Sequence, residues 1–438
     1  MNKLIEKYNL PDTLAFISSY PEKNKKYSDK VCAVGGFTKN TIEQMNKKKK
    51  YVVFTVQIGK KPEYYEENNV LVCRIIDRKN VLSILSLSRL LISFSQIRNI
   101  IIEFEFGSFG TVVNTVAFTF IFLLNNLLNK RQFTVLHQVV NNLQSLTGHL
   151  GWEPNKSFKT IFFNYGLQAY YRFITKISCR VIVTEEYFKK ILLSITHTKT
   201  EKIIFIPHGV DTHLKKYNKI QVRKEMKLPL NKQIILFFGY LSWYKGADLI
   251  VRFARQLTNK KVHFVIAGGP SFTNTGKKYY NKYLDQFKSL PNNLTLTGFV
   301  PEEQIAKYYS AADLVFLPYR IMMSSSGPLS LAFSNEKPVI LSDKLTPYSY
   351  SFDFKENLKN SGISHTDIFI KPTLQNLMKK LKTSQQNKFL TFSKRMKAAR
   401  NYKLIANQYL NCINSYVDKP STVSHKISRF NQKQFRFS

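Results

Sequence analysis

Between residues 237 and 343 one unit recurs: a short β-branched run, a turn, then a stretch with helical spacing, with glycines where the runs end. Strands are expected to begin at Ile234, Val262, Leu294, Leu314 and Val339, and each gap between them is long enough for a helix. That spacing excludes hairpins, which need only a tight turn, and fits parallel strands joined by crossover helices. Ligands of such sheets sit outside the carboxyl ends of the strands. The turns holding Gly239, Lys245 and Gly246, and later Ser325, Ser326 and Gly327, are therefore where binding groups are sought.

A chain of 438 residues is too long for one ordinary core, so two α/β domains of roughly 200 residues each are expected. Hydrophobic residues at 44% suffice to fill both and exclude wholesale disorder. The first domain is expected over residues 1–211. Its strands are placed at 30–34, 51–56, 70–76, 99–104, 132–136 and 179–184, with helical spacing at 38–47, 81–94 and 158–178 and a loop over 139–157. The strand and turn KIIFIPHGVD, ending at Asp211, mark the junction. The second domain follows over 212–400, then a final helix over 401–418 and a basic tail over 419–438. Pro301-Glu302-Glu303 announces a helix, with proline at its first position and carboxylates in its first turn. Residues 111–128 are nearly long and apolar enough to cross a bilayer, but Asn114, Asn125 and Asn126 interrupt them, so the segment is read as a crossover helix buried on both sides.

Sixty-six Lys and Arg against 28 Asp and Glu give a net charge of +38. A composition rich in Lys, Asn, Ile, Phe and Tyr fits an A/T-rich coding bias, which raises lysine everywhere but does not explain so few carboxylates. A preference for a negatively charged partner, an anionic membrane surface or a phosphorylated substrate, remains. The chain shows no zinc spacing or reading helix, so nucleic acid is not an expected partner. The start MNKLIEKYNLPD lacks the apolar core of a secretory signal, and Cys32, Cys73, Cys179 and Cys412 have no metal-ligand spacing. The expected location is a reducing cytoplasm, peripheral on the inner face of a membrane, where the basic and aromatic stretch 158–178 suits interfacial docking.

Five fragments in register carry a family likeness: IPHGVD at 206–211, FFGYLSWYKGADLI at 237–250, VIAGG at 265–269, LTGFVPEEQIAKYYSAADLVFLPY at 296–319 and SSGPLSLAFSNEKPVILSD at 325–343. GGFTKN at 35–40, EFGSFG at 105–110 and TVLHQV at 134–139 give thinner support upstream. Together they resemble the family-4, or group 1, glycosyltransferases. The resemblance implies the GT-B fold: two Rossmann-like domains across a cleft, with a C-terminal helix crossing back to the first. It implies transfer of a sugar from a nucleotide-sugar donor to a glycan or lipid-linked acceptor, with retention of configuration and no divalent metal or other cofactor.

In such a transfer the departing diphosphate gathers negative charge that something positive must meet. The resemblance assigns Lys245 to that diphosphate, with His137 beside the transferred sugar as the second catalytic group. Gly239 and Gly246 flank the lysine. Ser325, Ser326 and Gly327 begin a helix whose free N–H groups suit an anion, and Phe299 is the expected wall for the base. On the acceptor side stand Gly35, Gly36 and Glu105. Read without the resemblance, Lys245 is equally a solvated lysine, His137 a buried structural histidine, Phe299 a core aromatic and Gly35-Gly36 a tight turn. The family's two glutamates fall here at Met323 and Leu331, and its usual arginine near Tyr240 and Ser242. Those departures keep a second reading alive, a non-catalytic GT-B relative that binds sugar or nucleotide and assists another transferase.

Overall fold

The computed structural model describes residues 2–28, 30–146, 157–258, 260–271, 277–383 and 387–417. Among these, eight strands form a first sheet: β1 Leu14–Ile17, β2 Tyr51–Val56, β3 Glu63–Glu67, β4 Val70–Ile76, β5 Asn99–Phe104, β6 Arg131–Leu136, β7 Arg180–Val183 and β8 Ile203–Phe205. Their spatial order is β3-β4-β2-β1-β5-β6-β7-β8, parallel throughout except for the β3-β4 edge hairpin. Six parallel strands form the second sheet: β9 Gln233–Phe238, β10 Val262–Ala267, β11 Leu294–Leu296, β12 Leu314–Leu317, β13 Val339–Ser342 and β14 Phe369–Ile370, in the order β11-β10-β9-β12-β13-β14. Both orders turn back on themselves, as doubly wound sheets do, and the interior strands are apolar on both faces because helices cover both. Two Rossmann-like halves of a GT-B fold result.

The Tyr402–Val417 helix crosses back to the first domain, where Ile405, Ala406 and Tyr409 pack with Phe16, Phe37 and Val53. It begins where the outgoing and returning chains lie side by side, the Val210 N–H donating to Arg400 O at 2.7 Å. Gly209 makes that crossing possible, since a Cβ there would stand 2.3 Å from the Tyr402 ring. On the opposite face of the first sheet lie the helices Ser83–Ser93, Val112–Ala117, Thr119–Leu127, Ser157–Ile177 and Glu186–Thr196.

Four expectations change. Residues 30–34 are not a strand; β1 is Leu14–Ile17, too short and too uniformly apolar to show a period, and the chain then enters the Val34–Glu43 helix. Pro301 sits at the N-cap of Glu302–Ala311 rather than inside it, because its ψ of 151° is extended. The apolar segment 111–128 is two short helices joined at Phe118, buried on one side only. Phe118, Ile121 and Phe122 face the core, while Val112, Val113, Val116 and Leu127 are exposed. Part of the loop expected over 139–157 is a short 3-10 turn, Leu143–Leu146, and residues 147–156 lie outside the described residues, as do the basic residues 419–438. Among the described residues no helix is long and apolar enough to cross a membrane.

Candidate active site

Three turns at the carboxyl edge of the second sheet form the base of the site. Gly239 leaves β9 with φ of 124°, Gly268 and Gly269 leave β10, and Gly298 with φ of 75° leads to Phe299 after β11. These turns stack main chain on main chain: a Cβ on Gly268 would lie 2.0 Å from Gly239 O, and one on Gly269 would lie 2.8 Å from Phe299 N. Both atoms met are main chain, so no side chain can move aside. Gly268→Ala is therefore expected to destabilise the protein by about 3 kcal/mol, read as a lowered midpoint in urea. Gly327→Ala, whose Cβ meets nothing within 4 Å, should leave that midpoint unchanged.

The 3-10 turn Trp243–Lys245 folds the lysine back over this edge. It is closed by Gly246, left-handed at φ of 75°, where a Cβ would lie 2.3 Å from Pro318 O. Arg320 holds the turn from behind: its guanidinium donates to Trp243 O at 2.6 Å and to both Asp248 oxygens at 2.8 and 2.6 Å. Such bidentate pairing fixes geometry as well as charge. The ammonium of Lys245 then stands 3.2 Å from where a Gly239 Cβ would be, a position equally close to Pro328. Pro328 belongs to the first turn of the Gly327–Ser334 helix, which Ser326 caps by accepting from Leu329 N at 3.2 Å. One cation and one helix N-terminus thus share a small space, and the room beside Gly327 is open.

Across the cleft, β5 and β6 deliver Glu105 and His137. Burial pushes the Lys245 ammonium down to about 8, against the pull of the Glu105 carboxylate. Burial likewise raises Glu105, while His137, Cys32 and Lys245 pull it back. Glu105 is therefore the electrostatic link between the halves. His137 is buried, with Nε2 2.6 Å from Glu103 Oε2 and its ring edge-on to Phe37. The fully buried Glu103 thereby ties one ring nitrogen and fixes the orientation of the imidazole. His208 packs on the same phenylalanine, its Nδ1 2.9 Å from Gly209 O and 3.0 Å from Ser330 Oγ. Burial holds it down at about 4, so it is neutral at pH 7.

The two halves also bond to each other here. Val139 N–H donates to Met323 O at 3.1 Å beside an isolated bridge between Gln138 and Ser324. The Glu302 carboxylate accepts from the N–H groups of Lys26 and Tyr27 at 2.7 and 3.0 Å. Ser325 Oγ is 2.7 Å from Glu185 Oε1 and 2.8 Å from Thr184 Oγ1. Burial raises the Glu185 carboxyl to about 7, with Arg400 and Ser325 offsetting part of the effect.

The expected residues Gly239, Lys245, Gly246, Ser326 and Gly327 converge, and Glu105 and His137 face them. Phe299 stands at the lip, 45% exposed, where a flat ligand can reach it. Ser325 differs: its hydroxyl is turned to the first domain rather than to the open space beside Gly327. Gly35 and Gly36 also differ. They lie in the first turn of Val34–Glu43, and a Cβ on Gly36 would be 2.7 Å from Lys26 O and 3.0 Å from the Tyr27 ring. The room expected for a substrate is taken by residues 26 and 27. Met323 packs across the gap on Val140 and Leu146 of the first domain, and Leu331 joins the main core, so neither offers a ligand a hydrogen-bonding group. Glu103, Glu185, His208 and Arg400 escaped attention. His208 lay inside the IPHGVD fragment, but the other three carry no local pattern. Among the described residues no three or more His, Cys, Asp or Glu side chains gather as a metal would require.

Comparison with known proteins places this geometry. Residues 218–357 match the family model for glycosyl transferases group 1. Alpha-galactosylglucosyldiacylglycerol synthase of Streptococcus pneumoniae is 27% identical over 195 residues, 43% of this chain and 50% of that protein. D-inositol 3-phosphate glycosyltransferase of Mycolicibacterium paratuberculosis is 30% identical over 146 residues, 32% of this chain and 31% of its own. The chain thus spans half or less of the length of these curated relatives. Among solved structures, sucrose-phosphate synthase of Thermosynechococcus elongatus superposes with a TM-score of 0.68 at 15% identity, covering 93% of this chain and 99% of that one. HepE of Anabaena in complex with UDP and glucose superposes with a TM-score of 0.62 at 14% identity, covering 92% and 99%. Residues 218–357 thus match the group 1 glycosyltransferases, within a chain whose two halves share the GT-B fold of these solved structures.

Proposed function

We propose that this protein is a retaining glycosyltransferase of family 4 that moves a hexose from a nucleotide-sugar donor to a lipid-linked or polysaccharide acceptor in cell-envelope glycan synthesis. The observation that carries the reading is the meeting of the Lys245 ammonium with the N-terminus of Gly327–Ser334, opposite Glu105 and His137. In the reaction the bond from the sugar's anomeric carbon to the leaving phosphate oxygen breaks, and the acceptor oxygen bonds to that carbon on the same face. The acceptor proton passes to the departing phosphate. Lys245 and the helix N–H groups of the turn at Ser326 and Gly327 hold the charge that builds there, in place of a divalent metal. His137 binds a sugar hydroxyl, Phe299 carries the base, and Glu105 orients the acceptor. Gly36 acts at one remove, by seating residues 26 and 27 beside the cleft, and Gly35 by letting the helix pack on Ser19 and Tyr20. Two similar proteins, the alpha-galactosylglucosyldiacylglycerol synthase above and the lipopolysaccharide 1,2-N-acetylglucosaminetransferase of Salmonella typhimurium, 25% identical over 124 residues, support the acceptor class. Free thiols at Cys32, Cys73, Cys179 and Cys412 support work in a reducing cytoplasm.

Lys245 supplies the test. Its depressed pKa means that a bound diphosphate must raise it, so donor binding above about pH 8 takes up a proton and below it does not. Calorimetry with UDP-glucose in two buffers of different ionisation enthalpy should show that uptake, with affinity flat below about pH 8 and falling above it. Transfer is followed on the same samples by the mass gained by a lipid acceptor. The packing of Met323 and Leu331 away from polar roles favours one other reading, a non-catalytic relative. Tight, proton-linked binding without transfer to any acceptor in a membrane extract would decide for it.

A further inference from the structure

The helical layer on the outer face of the first sheet leaves large apolar side chains uncovered. Leu82 is 64% exposed, Val112 72%, Val113 65%, Val116 63%, Phe162 68% and Tyr165 70%. They come from three separate segments that hydrogen bonds bring side by side. Asn114 Nδ2 donates to Arg78 O at 3.3 Å, and a Cβ on Gly110 would lie 2.5 Å from that same carbonyl, which ties the turn before Ser83–Ser93 to the start of Val112–Ala117. The Tyr170 hydroxyl donates to Thr115 O at 3.3 Å, which ties Ser157–Ile177 to the other edge of the same short helix. Single exposed apolar residues are ordinary on a soluble protein, but a contiguous set of this size marks a surface that something covers.

Charge says what covers it. The helices Ser83–Ser93, Val112–Ala117, Thr119–Leu127 and Ser157–Ile177 contain no Asp or Glu, while Arg89, Arg172 and Lys176 lie on them. A protein partner fitted to basic residues would need carboxylates placed opposite each of them. A lipid surface needs only apolar depth and diffuse negative charge, and it rewards aromatic rings and lysines at its edge. The patch also borders the cleft, because β5 ends at Phe104, Glu105 follows, and the exposed Val112 and Val113 come just after the turn at Gly107 and Gly110.

We infer that this face, centred on Val112, Val113, Val116 and Phe162, docks the protein on an anionic lipid surface, with the valines and rings sunk among the acyl chains and the basic residues among the headgroups. The docked pose sets the mouth of the cleft against the membrane. The inference uses no residue of the cleft, so it stands or falls apart from the transfer chemistry.

The test is co-sedimentation of the full chain with vesicles of phosphatidylglycerol and phosphatidylcholine, and with phosphatidylcholine alone. Binding is expected to the mixed vesicles, weakened by salt, and to be at least about tenfold weaker in a variant carrying Val113→Glu, Val116→Glu and Phe162→Glu, because each loses apolar burial and adds a repelled charge. UDP-glucose affinity in solution, measured without vesicles, should not change in that variant. Equal vesicle binding by variant and parent would overturn the proposal, as would equal, salt-insensitive binding to both vesicle types. A parent that is dimeric in solution, made monomeric by the substitutions with vesicle binding intact, would assign the face to a second copy instead. Phe162→Trp gives an independent reading on a protein that keeps its apolar surface: its emission should shift to the blue with mixed vesicles and be quenched by brominated acyl chains. An unshifted spectrum counts against insertion.

Discussion

Replacing Lys245 with alanine is expected to lower the rate of sugar transfer by about 10²- to 10³-fold, the effect typical of losing one group that meets charge in a transition state. The same change should leave the melting temperature unchanged or raise it. Burial holds the ammonium down at about 8, so the folded protein carries this cation against its preference when the site is empty. A structural lysine would behave in the opposite way, with its loss lowering stability and sparing the rate. Initial rates and thermal melts on one preparation therefore separate the two roles. An alanine variant that transfers sugar at the parent rate would remove Lys245 from the mechanism.

Arg400→Met is expected to cost about 3 to 5 kcal/mol of stability, because it strands the buried Glu185 carboxylate and the partly buried Asp353 carboxylate rather than merely removing a contact. The guanidinium is 3% exposed and donates to both oxygens of Asp353, at 2.6 and 3.1 Å, and to Ser351 Oγ at 3.0 Å. It also stands 3.9 Å from Glu185, which is 1% exposed. A fall in melting temperature of about 10 °C follows from typical unfolding entropies for domains of this size. The pH dependence identifies the cause. Burial works to raise the Asp353 carboxyl, but Arg400 holds it net below the ordinary range. The stabilisation is thus present above the ordinary carboxylate pKa and lost as pH falls through the depressed one, so the gap between parent and variant should narrow in acid. A gap that is constant with pH would point to lost packing, and no gap at all would refute the assignment.

The second sheet was legible because its chemistry repeats. The strands β9, β10, β12 and β13 are short apolar runs buried on both faces, and each runs into a residue that a turn favours, so period and punctuation agree. The first sheet was less so. β1 is four residues with no alternation, and β3 is the polar run Glu63–Glu67 on an edge, where one side of the strand faces water and no apolar pattern is needed. The segment 111–128 misled for a different reason: composition cannot tell a helix covered on two sides from one that turns its outer side chains to a partner. In the site, Ser326 was legible as a helix cap, and Lys245 and Gly327 through the family resemblance of the fragments that hold them. Glu103, Glu185 and Arg400 could not, because each owes its place to residues 34 to 215 positions away, as in the contacts Glu103–His137 and Arg400–Glu185. Gly36 shows the converse, a glycine correctly singled out whose neighbour proved to be the chain itself.

The link between Val139 N–H and Met323 O has a kinetic corollary. The strand-end of one half is stitched to the segment that leads straight into the capped turn of the other, and the next serine along grips Glu185. On the proposed chemistry, prising the halves apart would tug on the loop that holds the leaving group, so release of spent nucleotide and re-entry of solvent are expected in one motion.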